Sequence, residues 1–231
     1  MSKAPTIVAF APSMHVFPGG GVDRRDADDE LPWAGPPVEE WAELLGTDEA
    51  SAQMLVAAAV REIFEETGVL LASPAADDGT TKGEPARLDA EVAADLRAKL
   101  VAHEIGFGQV LLDQHLVLRS DLLRYRAHWI TAEVEPRRYD TRFFIAAVPA
   151  GQEPDGETSE ADRSEWLRPA AALGAFEDGD ILLMPPTLVC LEELAATSTV
   201  SAALAVDPTI APVMPVLVDT DAGPAMRVQL P

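Results

Sequence analysis

Arg61-Glu62-Ile63-Phe64-Glu65-Glu66-Thr67-Gly68, read with His15-Val16-Phe17-Pro18-Gly19-Gly20, decides the fold of this chain. At about 100° per residue on a helix, Glu62, Glu65 and Glu66 fall within an arc of roughly 100°. Val56, Val60, Ile63, Phe64 and Thr67 occupy the opposite arc, the apolar stripe that packs a helix onto a core. Gly68 stands where a helix stops by turning to positive φ. The segment therefore reads as a helix pinned by one face, with three carboxylates near its C-terminal end. Like charges on one turn repel, and carboxylate oxygens are the donors that Mg²⁺ or Mn²⁺ prefer. The pattern points to a metal site. The bland alternative is a solvated glutamate-rich face.

These residues resemble the Nudix box, which runs glycine, five residues, glutamate, seven residues, then Arg-Glu-U-x-Glu-Glu-x-Gly-U with U aliphatic. Arg61 to Val69 fits the second half at every position, and Phe17-Pro18-Gly19-Gly20 fits the usual lead-in. The middle departs from the pattern. Counting from Gly20, the first acidic position is Asp26, and the spacer to Arg61 lengthens to 34 residues, Ala27 to Val60. With Pro136-Arg137-Arg138-Tyr139-Asp140-Thr141, this insertion resembles the Nudix subgroup that includes peroxisomal acyl-coenzyme A diphosphatases.

The resemblance implies an α+β chain, an α/β/α sandwich around a mixed β-sheet. One domain is expected over residues 1–231, with an insertion in the box (27–56), a helical cap (88–118) and an extended C-terminal segment (200–231). It implies metal-dependent hydrolysis of a diphosphate linkage in a nucleoside diphosphate derivative, with coenzyme A or an acyl derivative as the guess. ADP-ribose, NADH and nucleotide sugars use the same box. Glu66, Glu62 and Glu65 are the expected catalytic carboxylates, Arg61 their structural support, and Gly19 and Gly20 the close-approach, substrate-binding positions. Metal ligands are expected from Glu62, Glu65, Glu66, Asp26 and an acid of the 151–162 loop, Glu160 or Glu157; the general base stays unassigned between such candidates. Arg137 and Arg138 are candidate phosphate clamps; pairing with Asp140 and Glu135 is the structural alternative. The other functional class is a Nudix-fold binding or regulatory module without turnover.

Composition sets bounds. The net charge of −22, from 39 acidic and 17 basic residues, disfavours binding to a phosphate backbone. Hydrophobic content of 48% suits a globular core, and no apolar run approaches the ~18 residues of a membrane span. The single cysteine, Cys190, excludes an intramolecular disulfide and suits a reducing cytoplasm. The chain ends Val-Gln-Leu-Pro, without a peroxisomal signal, and no signal peptide precedes Thr6, so a cytoplasmic location is expected.

Along the chain, Thr6–Phe10 and Met14–Phe17 read as strands. Too few residues precede Phe17 for the family's usual hairpin, so either the chain begins downstream of the family's usual start or another segment fills that sheet edge. Pro36-Pro37 opens a helix closed by Gly46, and Thr47 or Asp48 caps the helix that reaches Thr67. Val69–Leu71 continues as a strand before a polar linker, Ser73–Pro85. Leu88–Glu104 and Phe107–Leu118 read as helices of a cap for substrate choice or a homodimer surface. Arg124–Thr131 and Thr141–Val148 read as strands, Glu165-Trp166-Leu167 as a short one, and Pro169–Phe176 and Pro186–Ala196 as helices. Val200–Pro231 is expected to wrap the domain in extended form.

Overall fold

In the computed structural model the carboxylate-bearing segment is one helix of 19 residues, with Asp48 accepting from the Ser51 N–H at its start and Gly68 at φ 71° at its end. The description covers residues 2–5 (backbone), 14–28, 30–75, 81, 83–155, 165–221 and 223–231. In chain order the elements are β1 (Ser2–Pro5), β2 (Met14–Val16), a 3₁₀ turn (Arg24–Asp26), β3 (Trp33–Ala34), α1 (Val38–Leu45) and α2 (Glu49–Thr67). Then come β4 (Ala72–Pro74), α3 (Ala90–Val101), α4 (Phe107–Asp113), β5 (Leu116–Arg119), β6 (Arg124–Ile130) and β7 (Asp140–Ile145). The chain continues with β8 (Glu165–Trp166), α5 (Pro169–Glu177), β9 (Leu182–Leu183), α6 (Pro185–Ala195), α7 (Val200–Ala205), β10 (Pro212–Val213), β11 (Val216–Thr220) and β12 (Gly223–Arg227).

The architecture is α+β with mixed sheets. β2 pairs antiparallel with β1 and parallel with β9, while β1 also pairs with β8. The edge of β2 beside the glycine lead-in is therefore filled by a segment from late in the chain. β6 lies between β7, antiparallel, and β10, parallel. β5 lies between β3, parallel, and β4, antiparallel.

The main core forms around α2. Val56, Val60 and Phe64 are wholly buried and meet Trp41 and Leu45 of α1, Leu96 and Leu100 of α3, Phe107 and Leu111 of α4, and Leu118. The insertion helix α1 therefore lies on α2, with Trp41 edge-on to Phe144 of β7. A second cluster (Ala172, Ile181, Leu183, Leu191) takes in Phe17, so the residue before Pro18-Gly19-Gly20 is anchored by α5, α6 and β9. Phe17 also meets Phe143 of β7 edge to face.

Several expectations are corrected. Val69–Leu71 is irregular, and the strand begins at Ala72. The second cap helix ends at Asp113, and Leu116–Arg119 is a strand inserted between β3 and β4. Its alternation was hidden in a continuous apolar run, which periodicity alone cannot assign. The C-terminal segment is not wholly extended: Thr199 caps α7, and β11 and β12 form a hairpin. The strand expected at Thr6–Phe10 lies outside the described residues.

Cys190 sits inside α6 in a buried position, and burial, then the neighbouring Glu193, pushes its thiol up to about 12. A thiol reagent at pH 8 is expected to react with the folded chain on the order of 10³ more slowly than with the unfolded one, since the thiolate is the nucleophile. Absorbance-monitored labelling with and without denaturant checks this.

Candidate active site

Glu62, Glu65 and Glu66 occupy the last two turns of α2, but their face is not a solvated one. Glu62 and Glu66 are only 7% and 8% exposed. The cause is the lead-in loop, which lies across the carboxylates. The Gly19 N–H donates to Glu66 Oε1 at 3.0 Å. Gly20 lies still closer to the helix: a Cβ there would stand 2.4 Å from Glu62 Oε1. A side chain there would push the Glu62 carboxylate out of its present position.

Arg61 organises the other side. Its Nη1 donates to Glu62 Oε1 at 2.8 Å and to Glu65 Oε1 at 3.3 Å. Its Nη2 donates to the Gly21 carbonyl at 2.8 Å, tying loop and helix together. Burial alone would lower its pKa, but hydrogen bonding and charge from Asp26, then Glu62 and Glu65, outweigh that and raise it. Arg61 is a permanent cation here.

Asp26, expected as a metal ligand, is turned elsewhere. Its Oδ1 accepts from Arg61 Nε at 2.8 Å, and its Oδ2 from Arg61 Nη2 at 3.0 Å and from the Asp23 N–H at 2.7 Å. At 2% exposure it is the buried anion of a forked ion pair. The 34-residue spacer loops out between two partners that remain in contact, so Asp26 and Arg61 meet as if the insertion were absent.

The Asp26 turn is braced in its own right. Asp23 and Asp26 form a reciprocal cap on Arg24–Asp26. Arg25 grips Asp23 with Nε and Nη2 at 2.9 and 2.8 Å, and this hydrogen bonding holds the Asp23 carboxyl well below its usual range. Arg25 also reaches His103 Nδ1 and the Ile105 carbonyl, between α3 and α4. Sequence reading missed this link, because nothing in the spacing of Arg25 and His103 announces it.

The two expected phosphate clamps lie in the exposed β6–β7 loop. Arg138 donates through Nε to the Thr131 carbonyl at 3.0 Å and through Nη2 to Met214 Sδ at 3.3 Å. Arg137 stands over the Tyr139 ring at 5.8 Å. Asp140, offered as a partner for these arginines, instead meets Arg142 and, at 2.5 Å, His128 Nε2. Glu157 and Glu160 lie outside the described residues. Among the described residues no three acidic, histidine or cysteine groups already converge as a metal site, and no helix is long and apolar enough to cross a membrane.

The family profile of the NUDT19 Nudix domain matches residues 39–194, well over half of the chain. The chain belongs to the NUDT19 Nudix family. Its fold is shared with a solved NUDIX hydrolase from Alicyclobacillus acidocaldarius, at a TM-score of 0.69 and 25% identity over 89% of this chain and 87% of that one. Among curated NUDT19 relatives, acyl-coenzyme A diphosphatase NUDT19 of Gallus gallus is 31% identical over 77% of this chain and 55% of its own length. Acyl-coenzyme A diphosphatase NUDT19 of Xenopus laevis is 24% identical over 80% of this chain and 56% of its own length. The chain thus spans little more than half the length of these NUDT19 relatives.

Proposed function

We propose that this chain hydrolyses the diphosphate linkage of coenzyme A or an acyl-coenzyme A, giving 3′,5′-ADP and a phosphopantetheine product. The observation that carries the reading is the buried carboxylate set of α2, held from one side by Arg61 and from the other by the Gly19–Gly20 backbone. The substrate class is supported by the names of the NUDT19 relatives.

The donor set consists of carboxylate oxygens, which fits a hard divalent cation, and Gly20 leaves open the space that a Cβ would fill beside Glu62. Glu62, Glu65 and Glu66 would hold Mg²⁺ or Mn²⁺. Such a cation supplies neutralisation of the diphosphate charge and a more acidic water. Arg61 fixes the rotamers of Glu62 and Glu65, and the Gly19 N–H fixes Glu66. Asp26 keeps Arg61 in place, a role that replaces direct ligation in this reading. In a chain of −22 net charge, Arg137 is an exposed cation of the β6–β7 loop through which a substrate phosphate is steered. Arg138 secures that loop to the C-terminal segment.

The second reading, a binding module without turnover, draws on the engagement of Glu62 and Glu65 by Arg61 in this conformation. One panel separates the readings: coenzyme A, acetyl-coenzyme A, ADP-ribose, NADH and a nucleotide sugar, with Mg²⁺ or Mn²⁺, resolved by chromatography. Release of 3′,5′-ADP from the coenzyme A pair is the expected result. Cleavage of another member instead would discard the coenzyme A assignment. A ligand that raises the melting temperature without being cleaved would favour the binding module.

A further inference from the structure

The last turn of α2 contains Glu65 and Glu66 and no basic residue. The carbonyl end of a helix already carries partial negative charge, so these carboxylates sit where a helix least favours them. Besides Arg61 on the preceding turn, a second cation comes from another element. Arg97, on α3, donates through Nε to the Glu65 carbonyl at 3.0 Å, with its side chain only 10% exposed. Its Nη1 donates to Asp155 Oδ2 at 2.7 Å. Asp155 in turn donates its backbone N–H to the Thr67 carbonyl at 3.0 Å. The Arg97 guanidinium and the Asp155 backbone N–H thus hold the carbonyls on both sides of Glu66, and the Asp155 carboxylate ties the two together.

The latch is built into the surroundings. Leu96 and Leu100 bury the face of α3 that presents Arg97. At Gly68, a Cβ would stand 3.1 Å from Asp155 Oδ2 and 3.3 Å from Arg97 Nη1, so the helix stop and the latch occupy one tight space. Lysine cannot reproduce the arrangement, because a single ammonium does not present two fixed donors along two directions.

We propose that Arg97 is a positioning residue for the catalytic turn, acting through the Glu65 carbonyl and Asp155 to hold Glu65 and Glu66. This rests on the hydrolase reading above. It gives α3 a part in the reaction itself, beyond shaping substrate choice.

The test compares the whole chain with Arg97→Lys, Asp155→Asn and the double variant, using the diphosphate that the wild type cleaves. Arg97→Lys keeps the charge, so any loss comes from geometry. The expected result is a kcat lower by about 10- to 100-fold, the range for groups that orient ligating side chains. KM stays within about twofold, because the latch acts on the reacting turn rather than on uniform binding. The double variant should be no worse than the poorer single, since both break one latch. Unchanged kcat, a loss confined to KM, or additive losses would overturn the proposal. Should the wild type cleave nothing in the panel, the hydrolase reading fails and Mn²⁺ binding, followed by electron paramagnetic resonance, decides the latch. A dissociation constant raised by about tenfold or more in Arg97→Lys supports it. Equal affinities, or no Mn²⁺ binding by the wild type, overturn it.

Discussion

Glu66→Gln is expected to leave a folded chain whose kcat falls by on the order of 10³, because a ligating charge worth several kcal/mol in the transition state is lost. The amide is nearly isosteric with the carboxylate, and its oxygen can still accept from the Gly19 N–H that now lies 3.0 Å from Glu66 Oε1. The loop therefore keeps its seat while the anionic donor disappears. Product release from coenzyme A, measured beside urea unfolding, separates the two effects. A variant with wild-type turnover would remove Glu66 from the mechanism. A variant that loses stability in step with activity would make its role structural.

Asp26→Ala carries the largest expected effect on stability, about 3–5 kcal/mol, the cost of stranding one partner of a buried ion pair. Asp26 offers both oxygens to Arg61, and one of them also anchors the Asp23 N–H. Its loss takes two acceptors from Arg61 and opens the short turn at Arg24–Asp26. The residual contacts of Arg61 with Glu62, Glu65 and the Gly21 carbonyl place the cost toward the lower end of that range. The difference should be read from the urea midpoint at neutral pH. A loss below about 1 kcal/mol would mean that the pair behaves like a surface one.

The parts of the fold that were legible in sequence are those with strong local signals. Asp48 and Gly68 bracket α2 with a side-chain cap and a positive-φ stop, while α1 opens at Pro37 without a side-chain cap and stops at the positive-φ Gly46. The strands β6 and β7 stood out through their β-branched and aromatic residues, although the bulge between Tyr125 and Ala127 did not. That extra residue sends Arg126 toward the Val206 carbonyl and Glu193, a tertiary use that no spacing announces. β5 was unreadable for a different reason. Leu116, Val117 and Leu118 are all buried, so neither a period of two nor one of 3.6 could mark them.

The candidate site divides along the same line. The arc of glutamates follows from helix geometry and could be read directly. What each group touches depends on contacts between residues far apart in sequence. Asp26 lies 35 positions from Arg61 and Arg97 lies 58 from Asp155. Burial of the carboxylates could not be foreseen either, because it is produced by a glycine loop whose approach distance is a tertiary property.

The Asp26–Arg61 contact also bears on how such a box tolerates change. It closes a ring of chain at its base, with α1 and β3 inside and the Gly46–Asp48 turn at the surface between helices. Once a ring is clasped, doubling the length of flexible chain within it costs only about 0.6 kcal/mol in closure entropy. Breaking the clasp costs several times more. Length variation is therefore inexpensive in this excursion and the two residues at its neck are not, so a peptide tag grafted after Gly46 should leave the glutamate turn undisturbed.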